Sequence, residues 1–520
     1  MTPISGAPSR MRQIGSADFE TLQELKSMPQ PKKGTLPPVI FRSNFAASNN
    51  SKRYRRRSVS KDAAKSNPRT RSGYPPSRPM HQSAEVSYLS DGASNQNYRG
   101  LLNLAAIILL ISNFRLILDN MMKHGFVLWN IMQADLTFTV MSNFPFVTGE
   151  VMLHVSVLAT FAIEWALSRG TIGERLGMFL HGANINVAML ISCGIVWFFL
   201  SSPLAGVVLM MQATVSWMKL VSYTHANSDY RNSGRDARAT LGLIKDVDER
   251  ELDTAYPMNV TLSDLYYFWF APTLTYQIAF PRTARIRWSK VFSLLFRIAV
   301  TSAFMIFLVT QTIIPYLDLM VKDLEEDGKV STATMAEVLL KLAIPNTYVW
   351  LVMFYLYFHL FLNLCAEILR FGDRVFYKDW WNSSEISSYW KLWNMPVHYW
   401  LIRHVYFPCI RKGASSNLAM VIVFAISGVF HEIIISLPFH MISYWSFIGM
   451  MGQIPLVWIT KYFDKKFPGS SIGNLIFWIT FCVVGQPMAI LLYAIEYWKL
   501  GAELSGASTV AECIGSECEL

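Results

Sequence analysis

The sequence predicts an all-α, polytopic membrane protein with about nine transmembrane helices. Hydrophobic residues make up 52% of the 520 residues and charged residues only 16%, which is too apolar for an ordinary soluble protein. Runs of about 20 apolar residues, long enough to cross a bilayer, recur along the chain. One of these runs contains the ionisable pair His431 and Glu432. The composition therefore indicates a helical membrane bundle that holds polar groups at membrane depth.

Nine apolar segments are candidate spans. The third and fourth are separated only by Ser201, Ser202 and Pro203, so they are either two spans or one kinked pair. The nine segments are residues 101–122, 151–167, 188–200, 204–223, 291–316, 347–369, 418–441, 442–462 and 472–497.

The distribution of charge predicts the orientation and the domain boundaries. The first 100 residues hold 17 Lys and Arg against 6 Asp and Glu, and they are rich in Ser, Pro and Asn, so residues 1–95 should form a disordered cytosolic arm. The 224–290 and 370–412 loops are also basic and should share that side of the membrane. Residues 96–500 form the membrane domain, and the acidic tail 501–520 should be lumenal.

The loop at 370–412 combines many aromatic rings with polar groups. It contains FYKDWWN at 376–382 and WNMPVHYW at 393–400. Trp and Tyr collect at the level of the lipid head groups, so an interfacial anchor is one interpretation. Asp379, Asn382, Asn394 and His398 provide more hydrogen-bonding groups than an anchor requires. This loop is therefore a candidate substrate site.

The ionisable pair in the 418–441 segment is the candidate for chemistry. A charged side chain at membrane depth costs about 2.5–3.5 kcal/mol, so a function is expected to compensate for it. His431 suits general-base catalysis, because a neutral imidazole can take a proton from an alcohol as the alcohol attacks a carbonyl group. A structural histidine or a transporter's proton relay are the alternatives. Glu432 points to another helix face and could pair across the bundle.

Two glutamines also lie at membrane depth, each beside a glycine and near a proline. Gln453 lies in MMGQIPL and Gln486 in VVGQPMA. Gly and Pro interrupt helical hydrogen bonding and can open the backbone to a cavity, so these side chains either fill a kink or donate to a thioester or an oxyanion.

These segments closely resemble the diacylglycerol acyltransferases, in the sterol-acyltransferase-like branch of the membrane-bound O-acyltransferases. The resemblance rests on FYKDWWN, WNMPVHYWLIRHVYFP, SGVFHE, MMGQIPL and GQP, and it covers residues 95–498. FYxDWWN is shared with sterol acyltransferases, whereas WNxPVH and NYRG at 97–100 are more typical of the diacylglycerol enzymes. The resemblance implies a nine-helix bundle around a chamber inside the membrane.

The resemblance also implies roles for residues of this sequence. His431 is expected to be the catalytic base, with Asn394 and Gln486 as further catalytic residues. The expected substrate-binding residues are Phe376, Tyr377, Asp379, Trp380, Trp381, Asn382, Trp393, His398, Arg403, Glu432 and Gln453.

The expected reaction transfers an acyl group from acyl-CoA directly to the hydroxyl of diacylglycerol in the endoplasmic reticulum membrane, giving triacylglycerol. Acyl-CoA needs cations at the cytosolic mouth of its site, and Arg403, His404, Arg411 and Lys412 are candidates. No metal or redox cofactor and no nucleic acid partner is expected. The family's members assemble as homodimers or homotetramers through the N-terminal region, so the same is expected of this chain.

Three other functions remain possible from the sequence. A sterol or a long-chain alcohol could be the acceptor within the same family. A proton-coupled transporter could use the same buried His, Glu and Gln residues, but such transporters commonly have two related halves, and no internal repeat is visible here. An inactive scaffold is disfavoured because His431, Asn394 and His398 are all present.

Overall fold

The computed structural model describes scattered residues between 104 and 122, then residues 144–233, 256–317, 320–321, 331–468 and 470–504. Nearly all of this part of the chain is helical, and its one isolated β-bridge joins Arg282 to Phe371. The prediction of an all-α membrane bundle is confirmed. The predicted arm at 1–95 and most of the tail at 501–520 lie outside the described residues.

Seven helices in the described part of the chain are long and apolar enough to cross a membrane. They are Phe144–Ser168, Glu174–Phe199, Pro203–Asn232, Trp288–Leu317, Thr332–Ile368, Ser416–Phe439 and Ile472–Gly501. The described residues of the predicted 101–122 span are helical as well.

Fifteen α-helices are numbered in chain order from residue 144. They are α1 Phe144–Ser168, α2 Glu174–Phe199, α3 Pro203–Ser233, α4 Leu262–Phe270, α5 Trp288–Leu308, α6 Thr332–Phe354, α7 Leu362–Ile368, α8 Ile386–Leu392, α9 Met395–Leu401, α10 Phe407–Arg411, α11 Ser416–Ser436, α12 Trp445–Met451, α13 Gln453–Lys466, α14 Ile472–Ile479 and α15 Gln486–Leu504.

Several long helices continue through π-helical turns, which are frequent at functional sites. Such a turn at Val309–Ile313 extends α5, one at Tyr355–Phe361 joins α6 to α7, and one at Thr480–Gly485 joins α14 to α15. A fourth, Ile402–Tyr406, joins α9 to α10 within the aromatic loop.

The structure resolves the ambiguity around Pro203. Helices α2 and α3 are separate and pack against each other through one apolar cluster that includes Val196 and Leu209. The Nε1 of Trp217 also donates a hydrogen bond to Oδ1 of Asn186 at 3.2 Å. The two segments are therefore two spans, and the alternative of one kinked pair is excluded.

The predicted span at 442–462 is divided in the structure. The chain forms two shorter helices there, α12 with 7 residues and α13 with 14, which correspond to lengths of about 10 and 21 Å. A span needs about 30 Å. The division lies at Gly452, the one residue between the two helices, and the left-handed backbone conformations of His440 and Tyr444 precede α12.

Candidate active site

The two aromatic motifs of the 370–412 loop are held together by backbone hydrogen bonds. The N–H of Met395 donates to the carbonyl of Phe376 at 3.0 Å, and the N–H of Lys378 donates to that of Leu392 at 2.8 Å. Ring packing also joins the two motifs, because the ring centroid of Tyr389 lies 5.8 Å from that of Trp380 and 6.1 Å from that of Trp393, with which it stacks. FYKDWWN and WNMPVHYW therefore form one layer.

Within FYKDWWN the predicted substrate-binding residues divide by burial. Phe376 and Trp380 are each 2% exposed, and the Trp380 ring packs among Trp350, Phe354 and Phe477 with centroid distances of 5.2 to 6.5 Å. These two side chains belong to the main apolar core. The burial results from the short 3₁₀ turn Trp380–Asn382, which turns one tryptophan inward and the next outward.

The remaining residues of the motif are accessible. Asp379, Trp381 and Asn382 are exposed, and Tyr377 is half-buried. The hydroxyl of Tyr377 lies 2.9 Å from Nδ1 of His359, a residue on the π-turn that follows α6. Substrate contact stays a prediction for these four residues, but they are placed where a ligand could reach them.

Asn394 begins helix α9. Its Oδ1 accepts a hydrogen bond from the N–H of Val397 at 3.2 Å, and Pro396 follows in the first turn, as is typical of a helix N-terminus. Because the backbone N–H can only donate, the Asn394 amide has its NH₂ group left to donate elsewhere. The capping bond thus fixes the orientation of this predicted catalytic side chain.

His398 lies one turn further along α9. Burial lowers the pKa of its imidazole to about 4, and the nearby ammonium groups of Lys391 and Lys378 act in the same direction. His398 is therefore neutral at neutral pH, so it can accept or donate a hydrogen bond but does not contribute a positive charge.

Helix α9 and the helix that carries His431 contribute side chains to one apolar cluster. Val397 shares an apolar cluster with Ile422 and Ile426 of α11. In addition, Trp217 of α3 lies 5.8 Å from the Trp400 ring and 5.1 Å from that of Phe430, the residue before His431. Trp217 thus links α9 and α11 through ring packing, and no hydrogen bond between described residues joins Asn394 to His431.

The tautomer of His431 follows from its hydrogen bond. Its Nδ1 lies 2.7 Å from the carbonyl oxygen of Ser427, one turn earlier in α11. A carbonyl oxygen only accepts, so Nδ1 carries the proton and Nε2 presents a lone pair. The ring is half-buried. This arrangement is what a general base requires.

Glu432 is buried and receives several hydrogen bonds from the protein. Its Oε1 accepts from Ser436 and from the N–H of Tyr444 at 2.9 Å. Its Oε2 accepts from the hydroxyl of Tyr493 at 2.9 Å and from two further N–H groups at the start of α12 at 3.2 Å. The carboxylate therefore caps α12, as a negative charge at a helix N-terminus does. Its predicted contact with substrate stays a prediction.

The two glutamines lie at helix starts. Gln486 begins α15 after a π-turn, and it is half-buried. It lies two turns before Tyr493, so it shares a helix face with this residue, whose hydroxyl donates to Glu432 of α11. Gln453 begins α13, and its Nε2 donates to the Gly449 carbonyl at 3.3 Å. That bond leaves the carbonyl oxygen of the Gln453 amide to accept a hydrogen bond.

The candidate cations at the cytosolic mouth are not equivalent. Arg403 is half-buried and donates through Nη1 to the Tyr276 carbonyl at 3.0 Å. Arg411 and Lys412 are exposed. Burial lowers the pKa of His404 to about 3, with further contributions from His225 and Arg403. His404 is therefore neutral at neutral pH, and the prediction that it is a cation is wrong.

Sequence reasoning missed ionisable residues that the structure places near this layer. His359 contacts Tyr377, as described above. Glu367 is fully buried and pairs with Arg287 at 2.7 Å and with Arg374 at 2.8 Å. Both His359 and Glu367 lie inside the Thr332–Ile368 span, so the rule that singled out His431, an ionisable group inside an apolar run, would have found them.

A helical membrane fold that carries a half-buried histidine on one of its spans can be compared with known protein families. The sequence pattern of the membrane-bound O-acyltransferase family matches residues 191–495, which is more than half of the chain. This chain belongs to the membrane-bound O-acyltransferase family.

Particular relatives narrow the comparison. A protein named diacylglycerol O-acyltransferase 1 from Corylus americana is 41% identical over 428 residues, covering 81% of this chain and 76% of the relative. Its namesake from Arabidopsis thaliana is 40% identical over 423 residues, with 81% and 77% covered. The Bos taurus protein of that name is 36% identical over 427 residues, with 81% and 86% covered. The resemblance seen in the sequence motifs is confirmed.

Proposed function

We propose that this chain is an acyl-CoA:diacylglycerol O-acyltransferase that makes triacylglycerol, with His431 as its general base. The observation that carries the catalytic part is the hydrogen bond from Nδ1 of His431 to the Ser427 carbonyl, which leaves Nε2 as a proton acceptor. The observation that favours diacylglycerol as the acceptor is the shared name of relatives at 36–41% identity over about four fifths of the chain.

The reaction proceeds by direct transfer. Nε2 of His431 takes the proton of the diacylglycerol hydroxyl as its oxygen attacks the thioester carbon, and the carbonyl oxygen becomes an oxyanion. The carbon–sulfur bond then breaks, the acyl group stays on the new ester oxygen, and the thiolate of CoA takes the proton from the imidazolium. Every proton and electron pair is accounted for without a covalent acyl-enzyme.

Two amides assist this step in the proposal. The NH₂ of Asn394 is oriented by its capping bond to Val397, and Gln486 lies on the same face of α15 as Tyr493, whose hydroxyl donates to Glu432 of α11. Both can donate a hydrogen bond to the developing oxyanion, which is where such donors lower a barrier most. The exposed half of FYKDWWN with Arg403 contacts the CoA end of the donor, and Gln453 contacts the acceptor through its amide oxygen.

A competition assay tests the acceptor. Purified protein receives labelled oleoyl-CoA with equal amounts of dioleoylglycerol, cholesterol and hexadecanol in the same micelles. The proposal predicts that labelled triacylglycerol is the main product. A preference for cholesterol ester or wax ester would reassign the acceptor, while monoacylglycerol and retinol can be added as secondary acceptors in the same assay.

The cellular setting is also part of the proposal. We expect a multi-pass protein of the endoplasmic reticulum membrane, with the basic arm 1–95 in the cytosol and the tail 501–520 in the lumen. We also expect a homodimer or homotetramer. Protease protection of tags placed at the two ends in sealed microsomes checks the orientation, and mass photometry of the purified protein gives the number of copies.

A further inference from the structure

A cavity of about 440 Å³ opens where three membrane helices end, away from the aromatic layer. Its walls include Trp197 near the end of α2, Met441 and Ser443 from the segment after α11, and Glu496, Lys499 and Leu500 near the end of α15. Neither the mechanism nor the sequence motifs use this cavity. Because three spans end here together, it lies at the depth of lipid head groups.

The cavity presents one positive and one negative group. Lys499 is exposed and provides an ammonium group, while Glu496 is half-buried and accepts a hydrogen bond from Nε1 of Trp445 at 2.8 Å through one oxygen. That bond leaves the second carboxylate oxygen of Glu496 available. The two charges lie one helical turn apart on α15, so a ligand carrying both signs would match them.

Two further groups extend this pattern. The hydroxyl of Ser443 is buried and has no hydrogen-bond partner within the described part of the chain, and such a group is costly unless a ligand or water satisfies it. The Trp197 ring lies 5.9 Å from the His440 ring. An indole face attracts ammonium groups, especially alkylated ones. Met441, 7% exposed, supplies apolar wall beneath these groups.

The backbone beside the cavity is strained. His440 has φ of 53° and Tyr444 has φ of 63°, a left-handed conformation that residues other than glycine rarely adopt. Strain of this kind often occurs at ligand clamps. The N–H of Tyr444 donates to Oε1 of Glu432, so the residue after the cavity-lining Ser443 is hydrogen-bonded to the residue that follows His431.

We propose that this cavity binds the head group of a zwitterionic phospholipid. Lys499 and the hydroxyl of Ser443 contact the phosphate, while Glu496 and the face of Trp197 contact the ammonium group. The lipid's glycerol end lies against Met441. The site is separate from acyl transfer, and its occupant holds the segment between α11 and α12 in its strained conformation.

Photolabelling of the full-length protein tests this site. The probe is a phosphatidylcholine with a diazirine close to its phosphate, added to the detergent-purified protein, and the labelled peptides are identified by mass spectrometry. Labelling is expected in the 440–443 or 496–500 peptides. Unlabelled dioleoylphosphatidylcholine and dioleoylphosphatidylethanolamine should compete, whereas dioleoylphosphatidylglycerol, which lacks the ammonium group, should compete at least fivefold more weakly.

Matched variants make the test specific. Lys499→Ala and Glu496→Gln should each reduce labelling at these peptides at least fivefold, and the Gln side chain can keep the hydrogen bond from Trp445. Lys465→Ala replaces an exposed lysine on a different helix, α13, and should leave the labelling unchanged. Equal competition by phosphatidylglycerol would overturn the proposal, as would labelling that is unaffected by both variants or confined to other peptides.

Discussion

The aromatic layer and the turn of helix α11 that carries His431 and Glu432 differ in the interactions that fix their side chains. In the layer, ring packing dominates, and the motif residues that belong to the apolar core, Phe376 and Trp380, are 2% exposed. In the turn, two adjacent ionisable residues have different environments. Glu432 accepts bonds from Ser436, from Tyr493 and from three backbone N–H groups, whereas His431 keeps one nitrogen as an acceptor.

The difference shows that membership of a shared motif does not by itself indicate contact with substrate. FYKDWWN contains residues that build the layer and residues that face outward from it. The His–Glu pair contains one residue that keeps a ring nitrogen as an acceptor and one that caps a helix. Within each motif, some substitutions should therefore lower stability and others should lower activity. The following variants test this, from the largest expected effect on stability to the smallest.

Trp380→Ala should destabilise the protein most. Removing a large buried aromatic side chain costs about 3–5 kcal/mol, and the Trp380 ring packs among at least three others. Trp381→Ala is the matched control, because this neighbouring ring is 44% exposed. The measurement is the fraction of monodisperse protein that survives heating and gel filtration. Similar heat resistance of the two variants would show that the division by burial is incorrect.

Glu432→Ala should destabilise the protein by about 3 kcal/mol, because it leaves several donors without an acceptor and removes the cap of α12. Glu432→Gln should be less harmful, since an amide oxygen can still accept. Glu337→Gln is the control. This carboxylate is 57% exposed and pairs with Lys341 at 2.6 Å, an interaction worth at most about 1 kcal/mol. A Glu432→Ala protein with wild-type heat resistance would contradict the capping role of Glu432.

Gly428→Ala should cost about 1–3 kcal/mol through overpacking. A Cβ atom at Gly428 would lie 2.8 Å from the Phe447 ring of α12, so the two helices would have to separate. Gly449→Ala, on α12 itself, is the control because nothing lies within 4 Å of an added Cβ there. It should be neutral or slightly stabilising. Equal heat resistance of the two variants would contradict the close approach of α11 and α12.

Acid should weaken the aromatic layer slightly through His398. Its pKa in the folded state is about 4, below the ordinary value of 6.5, so the unfolded chain binds more protons between these two values. Stability is therefore full above pH 6.5 and is lost as the pH falls toward 4, by about 1 kcal/mol at pH 5.5. His398→Asn should reduce the difference in heat resistance between pH 7.5 and 5.5. An unchanged difference would argue against this contribution.

The sequence predicted the membrane helices well, because hydropathy is a local signal. The burial of Trp380 beside an exposed Trp381 was not predictable, since it depends on a 3₁₀ turn and on rings from distant helices. The start of α12 depends on Glu432, which is 12 residues before Tyr444 and acts only after folding. The neutral state of His404 depends on burial and on His225 from α3.

The central claim is that His431 is the general base and has no essential structural role. The direct test is the rate of triacylglycerol formation from labelled oleoyl-CoA and dioleoylglycerol by wild-type protein and by His431→Ala, expressed per amount of monodisperse protein. We predict that the rate of the variant is about 10²-fold to 10⁴-fold lower, as expected for removal of a general base, and that the variant keeps wild-type heat resistance. Activity within tenfold of wild type in a well-folded variant would contradict the assignment.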